Sequence, residues 1–104
     1  MAKQIIWSLR AQNDRKEIFE YWNNCNNSTS YSKKLNRLIK DSLRLISKYP
    51  LLGKKTDKEN VRIKILKDYL IIYEITPKQI IVLTIWDCRK NPDDLERLLK
   101  GNRS

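Results

Sequence analysis

The chain has 104 residues, of which 40% are apolar, so we expect a single domain over residues 1–104 with one modest core. Its 22 Lys and Arg residues against 12 Asp and Glu residues give a formal net charge of +10, which indicates DNA, RNA or a strongly acidic protein as the partner. Histidine is absent from the sequence, which excludes an imidazole general base and a histidine metal site.

The two cysteines and the longest apolar runs bear on compartment and cofactors. Cys25 and Cys88 are far apart in sequence and match no metal-ligand spacing, so we expect two unpaired thiols in a reducing cytosol. The apolar runs have the length of strands, and no signal peptide precedes Ile5. The sequence therefore predicts a cytoplasmic protein with no membrane span, no metal and no cofactor.

The first half of the chain predicts a strand followed by two antiparallel helices. Residues 5–7 are a short apolar run typical of a strand, and the helices are expected at about 11–24 and 30–48. The apolar stripe of the first helix consists of Ala11, Arg15, Ile18, Trp22 and Cys25. The second stripe consists of Tyr31, Leu35, Leu38, Ser42, Leu45 and Tyr49, widened by Ile39, Leu43 and Ile46. This hairpin must cover one face of a sheet.

Cations lie outside the stripe of the second helix and in the loop that follows it. The helix cations are Lys33, Lys34, Arg37, Lys40 and Arg44. They form either a ridge that faces phosphates or an ordinary solvated helix face. Pro50 ends the helix, and residues 51–60 form a charged loop around Gly53.

Three β-branched runs with short polar breaks, at residues 61–66, 69–75 and 80–86, predict an antiparallel strand meander. In the first run, Val61, Ile63 and Ile65 should face the core, which leaves Arg62 and Lys64 on an accessible surface. A two-residue turn at Lys67-Asp68 would put Tyr73 on the face of Arg62 and Lys64. A turn of odd length would put Leu70 and Ile72 there instead.

The segment after the last strand is basic and aromatic, and it leads into a short helix. Arg89 follows a rigid strand and precedes a helix start, a place suited to anions. Asn91 is the expected cap, Pro92 and two acids form the first turn, and Lys100-Gly101 is the expected stop. We expect this helix to pack at a sheet edge or to be mobile.

Taken together, the predicted helices and strands indicate an α+β fold class.

The order of these elements resembles the RelE/ParE superfamily of toxins from type II toxin–antitoxin modules. Specific stretches carry the likeness. They are Ile46-Ser47-Lys48-Tyr49-Pro50-Leu51-Leu52-Gly53, Tyr69-Leu70-Ile71-Ile72-Tyr73-Glu74-Ile75, and the last strand followed by Asp87-Cys88-Arg89-Lys90-Asn91-Pro92. The resemblance implies a small basic bacterial toxin and a neighbouring antitoxin, acidic where the two proteins meet.

The superfamily has two kinds of target. RelE-like members cut mRNA in the ribosomal A site, and the resemblance would then make Arg62, Lys64 and Arg89 the catalytic cations. ParE-like members poison DNA gyrase. Leu70 and Leu95 stand where a RelE-like enzyme would have an arginine and a tail tyrosine, and no His or Tyr follows in the tail. These departures favour the ParE-like branch. The alternatives are a RelE-like ribosome-dependent endonuclease and a non-toxic nucleic-acid-binding domain.

Six residues are candidates for target binding: Arg62, Lys64, Tyr73, Trp86, Arg89 and Lys90. The two aromatic side chains could instead belong to the core. Arg62 and Lys64 could be ordinary charged residues that protect an edge strand from aggregation.

Overall fold

A computed structural model describes residues 2–90 and 92–99, apart from the side chain of Leu98. The described residues form an α+β fold with three helices and one five-stranded sheet. The helices are α1 (Leu9–Asn26), α2 (Ser30–Lys48) and α3 (Pro92–Leu99), and a 3-10 turn spans Pro50–Leu52. The strands are β1 (Gln4–Trp7), β2 (Lys54–Lys55), β3 (Val61–Leu66), β4 (Tyr69–Ile75) and β5 (Gln79–Asp87).

The strand order in the sheet is β1-β5-β4-β3-β2. β1 runs parallel to β5, and the other neighbouring pairs are antiparallel. The link between β3 and β4 is a two-residue turn, because Leu66 pairs directly with Tyr69. Lys67 in that turn has a φ of 56°, as a two-residue hairpin turn requires. Arg62 is therefore opposite Tyr73, and the two side chains share a face of the sheet.

The helix hairpin covers one face of the sheet, and the main core lies between them. Its buried residues include Leu35, Ile39, Leu43 and Ile46 from α2, and Tyr69, Ile71, Tyr73, Ile80, Val82 and Ile85 from the strands. Cys25, Leu45 and Tyr49 are exposed, so the predicted stripes were wrong at those positions. The buried apolar residues of α2 are Leu35 from the predicted stripe and Ile39, Leu43 and Ile46, which were predicted to widen it.

A bulge in β5 fixes the position of α1. Tyr73 pairs with Val82, whereas the preceding residue of β4 pairs with Thr84, so β5 has one extra residue there. The Asp14 carboxylate of α1 accepts hydrogen bonds from the Thr84 hydroxyl and, at 3.2 Å, from the backbone N–H of Ile85. Because the Asp14 carboxylate bonds two consecutive residues of the bulged strand, it fixes the position of α1 along β5.

A second, smaller apolar cluster lies on the opposite face of the sheet. Val61, Ile72 and Trp86 are buried there, and Leu95 and Leu99 of α3 pack against them. The prediction that this helix packs at a sheet edge was therefore wrong, since α3 lies across the outer face. Asn91, Lys100 and Gly101, the predicted cap and stop, lie outside the described residues.

The predicted roles of the two faces of β3 were also partly wrong. Ile65 is 59% exposed and is not part of the apolar cluster on the outer face. Arg62 and Lys64 are half-buried and lie on the helix side of the sheet.

The charged loop that follows α2 contains a short strand that the sequence did not predict. Lys54–Lys55 forms β2, which pairs with Ile63 and Arg62 of β3. Two lysines carry little strand propensity, so only the partner strand defines this pairing. Among the described helices, none is long and apolar enough to span a membrane.

Candidate target-binding surface

Arg89 lies in a turn that Asp87 organises at the end of β5. The Asp87 carboxylate accepts hydrogen bonds from the Arg89 backbone N–H at 2.9 Å, from Nε at 2.9 Å and from Nη2 at 2.7 Å. The Asp87 carbonyl accepts the backbone N–H of Lys90 at 2.9 Å, which closes the turn. One carboxylate therefore sets both the backbone and the side-chain direction of Arg89.

The two charges of this pair stabilise each other. The hydrogen bond from the Arg89 guanidinium lowers the pKa of Asp87, partial burial opposes that shift, and the backbone N–H of Arg89 adds to it. The same contact raises the pKa of Arg89. The Arg89 side chain is 49% exposed, against 19% for Asp87. The cation is thus held in place and still faces solvent.

Two aromatic rings of α1 lie beneath the guanidinium. Its central carbon is 5.3 Å from the Tyr21 ring centroid and 5.7 Å from the Trp22 ring centroid, within the range of cation–π contacts. The Trp22 indole N–H donates to the Tyr69 hydroxyl at 2.7 Å, and burial raises the pKa of that tyrosine. This bond fixes the indole against the sheet, so the aromatic seat of Arg89 is rigid.

The depression beside Arg89 has mixed charge. It has a volume of about 330 Å³ and is bordered by Arg89 and Lys90 and by the carboxylates of Asp14, Glu17 and Asp87. A mixed-charge depression suits the varied side chains of a protein surface better than a simple anion. Here we call Tyr21, Trp22, Asp87, Arg89 and Lys90 the Arg89 surface.

Lys90 and Trp86 meet on the opposite side of the same strand end. The Lys90 ammonium lies 5.4 Å from the centroid of the Trp86 ring. Trp86 itself is only 6% exposed, because it packs under α3. Lys90 is the accessible member of this pair, and Trp86 supports it from the core.

Arg62 and Tyr73 lie together at a different corner of the sheet. The Tyr73 hydroxyl donates to the Pro50 carbonyl at 2.7 Å and accepts the backbone N–H of Gly53 at 2.9 Å. Arg62 Nη1 donates to the carbonyls of Gly53 at 2.8 Å and Leu51 at 3.2 Å. Tyr73 is fully buried, and burial raises its pKa. Both side chains hold the 3-10 turn against the sheet.

The six candidate residues therefore fall into separate groups. Arg62 lies at the level of Tyr73 and Asp87 at the level of Tyr69, which is four residues, or ~13 Å, along the sheet. Two strand spacings, ~10 Å, separate them across the sheet. Lys64 is half-buried between these levels, opposite Ile71. The structure joins Trp86, Arg89 and Lys90 but does not bring Arg62 or Lys64 to them.

Comparison with known proteins decides the family. The family model described as "ParE toxin of type II toxin-antitoxin system, parDE" matches residues 5–92. The chain belongs to the ParE toxin family. The resemblance drawn from the sequence is thereby confirmed, and membership of a type II toxin–antitoxin family implies a cognate antitoxin as partner.

The fold agrees with that of a solved ParE-family system. A structure described as a chromosomal ParDE toxin–antitoxin system from P. aeruginosa superposes with a TM-score of 0.70 and 16% identity. The match covers 83% of this chain and 96% of that one, so the two share the fold over nearly the whole of the solved chain. The search of curated proteins found no match.

Sequence reasoning missed three members of the Arg89 surface in this ParE-family chain. Asp87 was treated only as part of the basic segment, although Asp two residues before Arg is the spacing of a side-chain-to-backbone turn. Tyr21 and Trp22 lie 67 or more residues before Arg89, and no local pattern links them to it. Only the packing of α1 on β5 brings them together.

Proposed function

We propose that this ParE-family protein arrests bacterial growth by binding DNA gyrase and not by cleaving RNA. The observation that carries the proposal is the separation of the candidate cations, with Arg89 on an aromatic seat and Arg62 bonded to backbone carbonyls. The Arg89 surface is rigid, cationic and partly apolar, which suits recognition of another protein.

Metal-free RNA cleavage requires a different arrangement. A base at the 2′-hydroxyl, cations at the phosphorane and an acid at the 5′-oxygen must converge within hydrogen-bond reach of one phosphate. Tyr73 is buried with its hydroxyl bonded on both sides. Burial raises the pKa of Tyr69 as well as that of Tyr73, away from the range of a base at neutral pH. These features support binding over cleavage.

The antitoxin is expected to neutralise the toxin by covering the Arg89 surface with an acidic segment. The cations there are Arg89 and Lys90, and Lys90 forms no ion pair among the described residues. A carboxylate of the antitoxin would therefore find the exposed Lys90 ammonium beside the guanidinium that Asp87 holds.

Purified protein and gyrase test the target directly. We expect inhibition of supercoiling of relaxed plasmid, with linear DNA released after detergent treatment if cleavage complexes accumulate. In cells, induced expression should arrest growth and start a DNA damage response. Codon-dependent cuts in translated mRNA, seen by primer extension without gyrase inhibition, would instead assign the RelE-like nuclease. Absence of growth arrest at full soluble expression would remove the toxin assignment.

Arg89→Ala tests the surface. We expect at least a tenfold loss of gyrase inhibition, since a central arginine of an interface is commonly worth ~1.4 kcal/mol or more. Arg97→Ala is the matched control, because Arg97 is an exposed arginine of α3 that pairs with an aspartate, Asp94, as Arg89 does with Asp87. Equal inhibition by both variants and the unmodified protein, at equal folded concentration, would place the target site elsewhere.

A further inference from the structure

One face of α2 carries a continuous row of cations. Lys33, Arg37, Lys40, Arg44 and Lys48 recur every three or four residues, so they share one side of the helix. All five are exposed, and the residues that α2 buries lie on the other side. We call these five residues the α2 ridge.

Little negative charge offsets this row. The one acid within α2 is Asp41, which lies 3.8 Å from Arg44 in an exposed pair. With Lys34, the helix has six cations and one acid, a net charge of +5, which is half of the formal +10 of the whole chain. None of these six cations belongs to the core or to the Arg89 surface.

We propose that the α2 ridge is a second binding site, which holds the phosphodiester backbone of a nucleic-acid duplex. The row spans 16 residues, or ~22 Å of helix, which is about the rise of six or seven base pairs along a duplex axis. Lys and Arg are common donors to phosphate oxygens, and contacts to phosphate carry no base-sequence information. Binding should therefore be independent of base sequence.

An acidic protein segment is the rival occupant. A groove beside the ridge has an apolar floor that includes Trp7 and Leu43, and Lys40, Arg44 and Lys48 are on its rim. Lys33 and Arg37 do not border that groove. The ridge thus extends beyond the apolar floor of the groove, and a phosphate chain along the ridge would meet two further cations there.

This site goes beyond the proposed function, since a duplex can be held whether or not gyrase is the target. Fluorescence anisotropy of a labelled 20-base-pair DNA duplex, titrated at several KCl concentrations without gyrase, tests it. Five phosphate contacts predict a slope of log affinity against log salt of about −4.5. The Lys33→Gln/Arg37→Gln variant should reduce that slope by about 1.8 and weaken binding at every salt concentration.

Lys54→Gln/Lys58→Gln is the matched control, since it removes the same charge from exposed positions outside the ridge. We expect its slope to equal that of the unmodified protein. Equal losses in both variants would attribute binding to net charge and overturn the proposal, as would unchanged binding by the ridge variant. A ridge variant that loses affinity for a poly-glutamate peptide but not for the duplex would assign the ridge to an acidic protein.

An RNA duplex of the same sequence distinguishes the source of the phosphates. Similar slopes with both duplexes are expected from a site that contacts backbone alone, and the ridge variant should lower both. Loss of RNA binding only, with DNA binding intact, would contradict a site for the duplex backbone. Gyrase inhibition is measured separately, so failure of either proposal leaves the other standing.

Discussion

Asp87 is the residue on which the geometry of Arg89 depends. Its carboxylate receives three hydrogen bonds from Arg89, one from the backbone and two from the guanidinium. A carboxylate that binds its charged partner this closely lowers its own pKa, as Asp87 does. Because folding favours the ionised form, Asp87 should add to stability wherever it is ionised in both states.

The sign of that contribution predicts a pH dependence for Asp87→Asn. The stabilisation is fully present above the unfolded carboxyl pKa, about 3.9, and is lost as pH falls through the lowered pKa of the folded protein. We therefore expect the variant to have a lower urea midpoint at neutral pH, and the difference from the unmodified protein to vanish in acid.

Asp57→Asn is the control for this experiment, because Asp57 is an exposed loop carboxylate. Urea titrations at pH 7, 5 and 3 would show little difference at any pH for the control. A difference for Asp87→Asn that persists unchanged at the lowest pH would mean that the amide disturbs packing, and that the charge pair is not what stabilises the turn.

At the scale of elements, the corner formed by the 3-10 turn, β2 and β4 depends on a close contact. A Cβ atom on Gly53 would lie 2.6 Å from the Tyr73 hydroxyl and 2.9 Å from the Ile63 carbonyl oxygen. Only glycine fits there without displacing backbone, although its φ of −74° is accessible to other residues. Gly53 of the Pro-x-x-Gly segment and Tyr73 of β4 are thus in direct contact.

That contact predicts coupling between Gly53→Ala and Tyr73→Phe. Each should destabilise the fold by about 1–3 kcal/mol, the first through steric overlap and the second through two backbone groups left without their hydroxyl partner. In the double variant the overlap with the hydroxyl is gone. The loss of stability in the double variant should therefore be smaller than the sum of the losses in the two single variants. Urea midpoints of the four proteins measure this, and strict additivity would show that the Tyr73 hydroxyl does not contribute to the clash.

How far the sequence predicts these elements depends on how local their signals are. The bounds of β3, β4 and α2 were predicted from hydrophobic period and Pro50, and the structure agrees. β2 was missed because two lysines pair only where β3 offers an edge. The buried face of α2 was broader in the sequence than in the structure, where Leu45 and Tyr49 are exposed.

The sequence predicts less of the candidate site than of the strands and helices, because most contacts at the site join distant segments. Arg89 was found from its place after a rigid strand, a local feature. Its partners Tyr21 and Trp22 come from α1, and no spacing in the sequence relates the two segments. Tyr73 was a plausible surface residue by strand alternation, but the 3-10 turn covers it. Long-range packing, which a single sequence does not encode locally, decides both cases.

On the scale of the whole molecule, the fold is closed by contacts between the first and last strands of the sheet. β1 pairs in parallel with β5, and the helix hairpin and strands β2 to β4 lie between them in the chain. Ser8 reinforces the join, because its backbone N–H donates to the Val82 carbonyl at 3.0 Å and its hydroxyl donates to the Leu83 carbonyl at 2.9 Å. The same hydroxyl caps α1 by accepting the Ala11 N–H at 3.0 Å.

This closure predicts a single cooperative unfolding transition, since neither the hairpin nor the strands can bury their apolar faces alone. The fluorescence of Trp7, Trp22 and Trp86 reports on β1, on α1 and on the outer face of the sheet, respectively. Variants that retain one tryptophan each, the others replaced by Phe, should unfold in urea at the same midpoint by fluorescence and by far-UV circular dichroism. An earlier fluorescence transition for Trp7 than for the helical signal of the same variant would show β1 detaching first, and would contradict closure as the source of cooperativity.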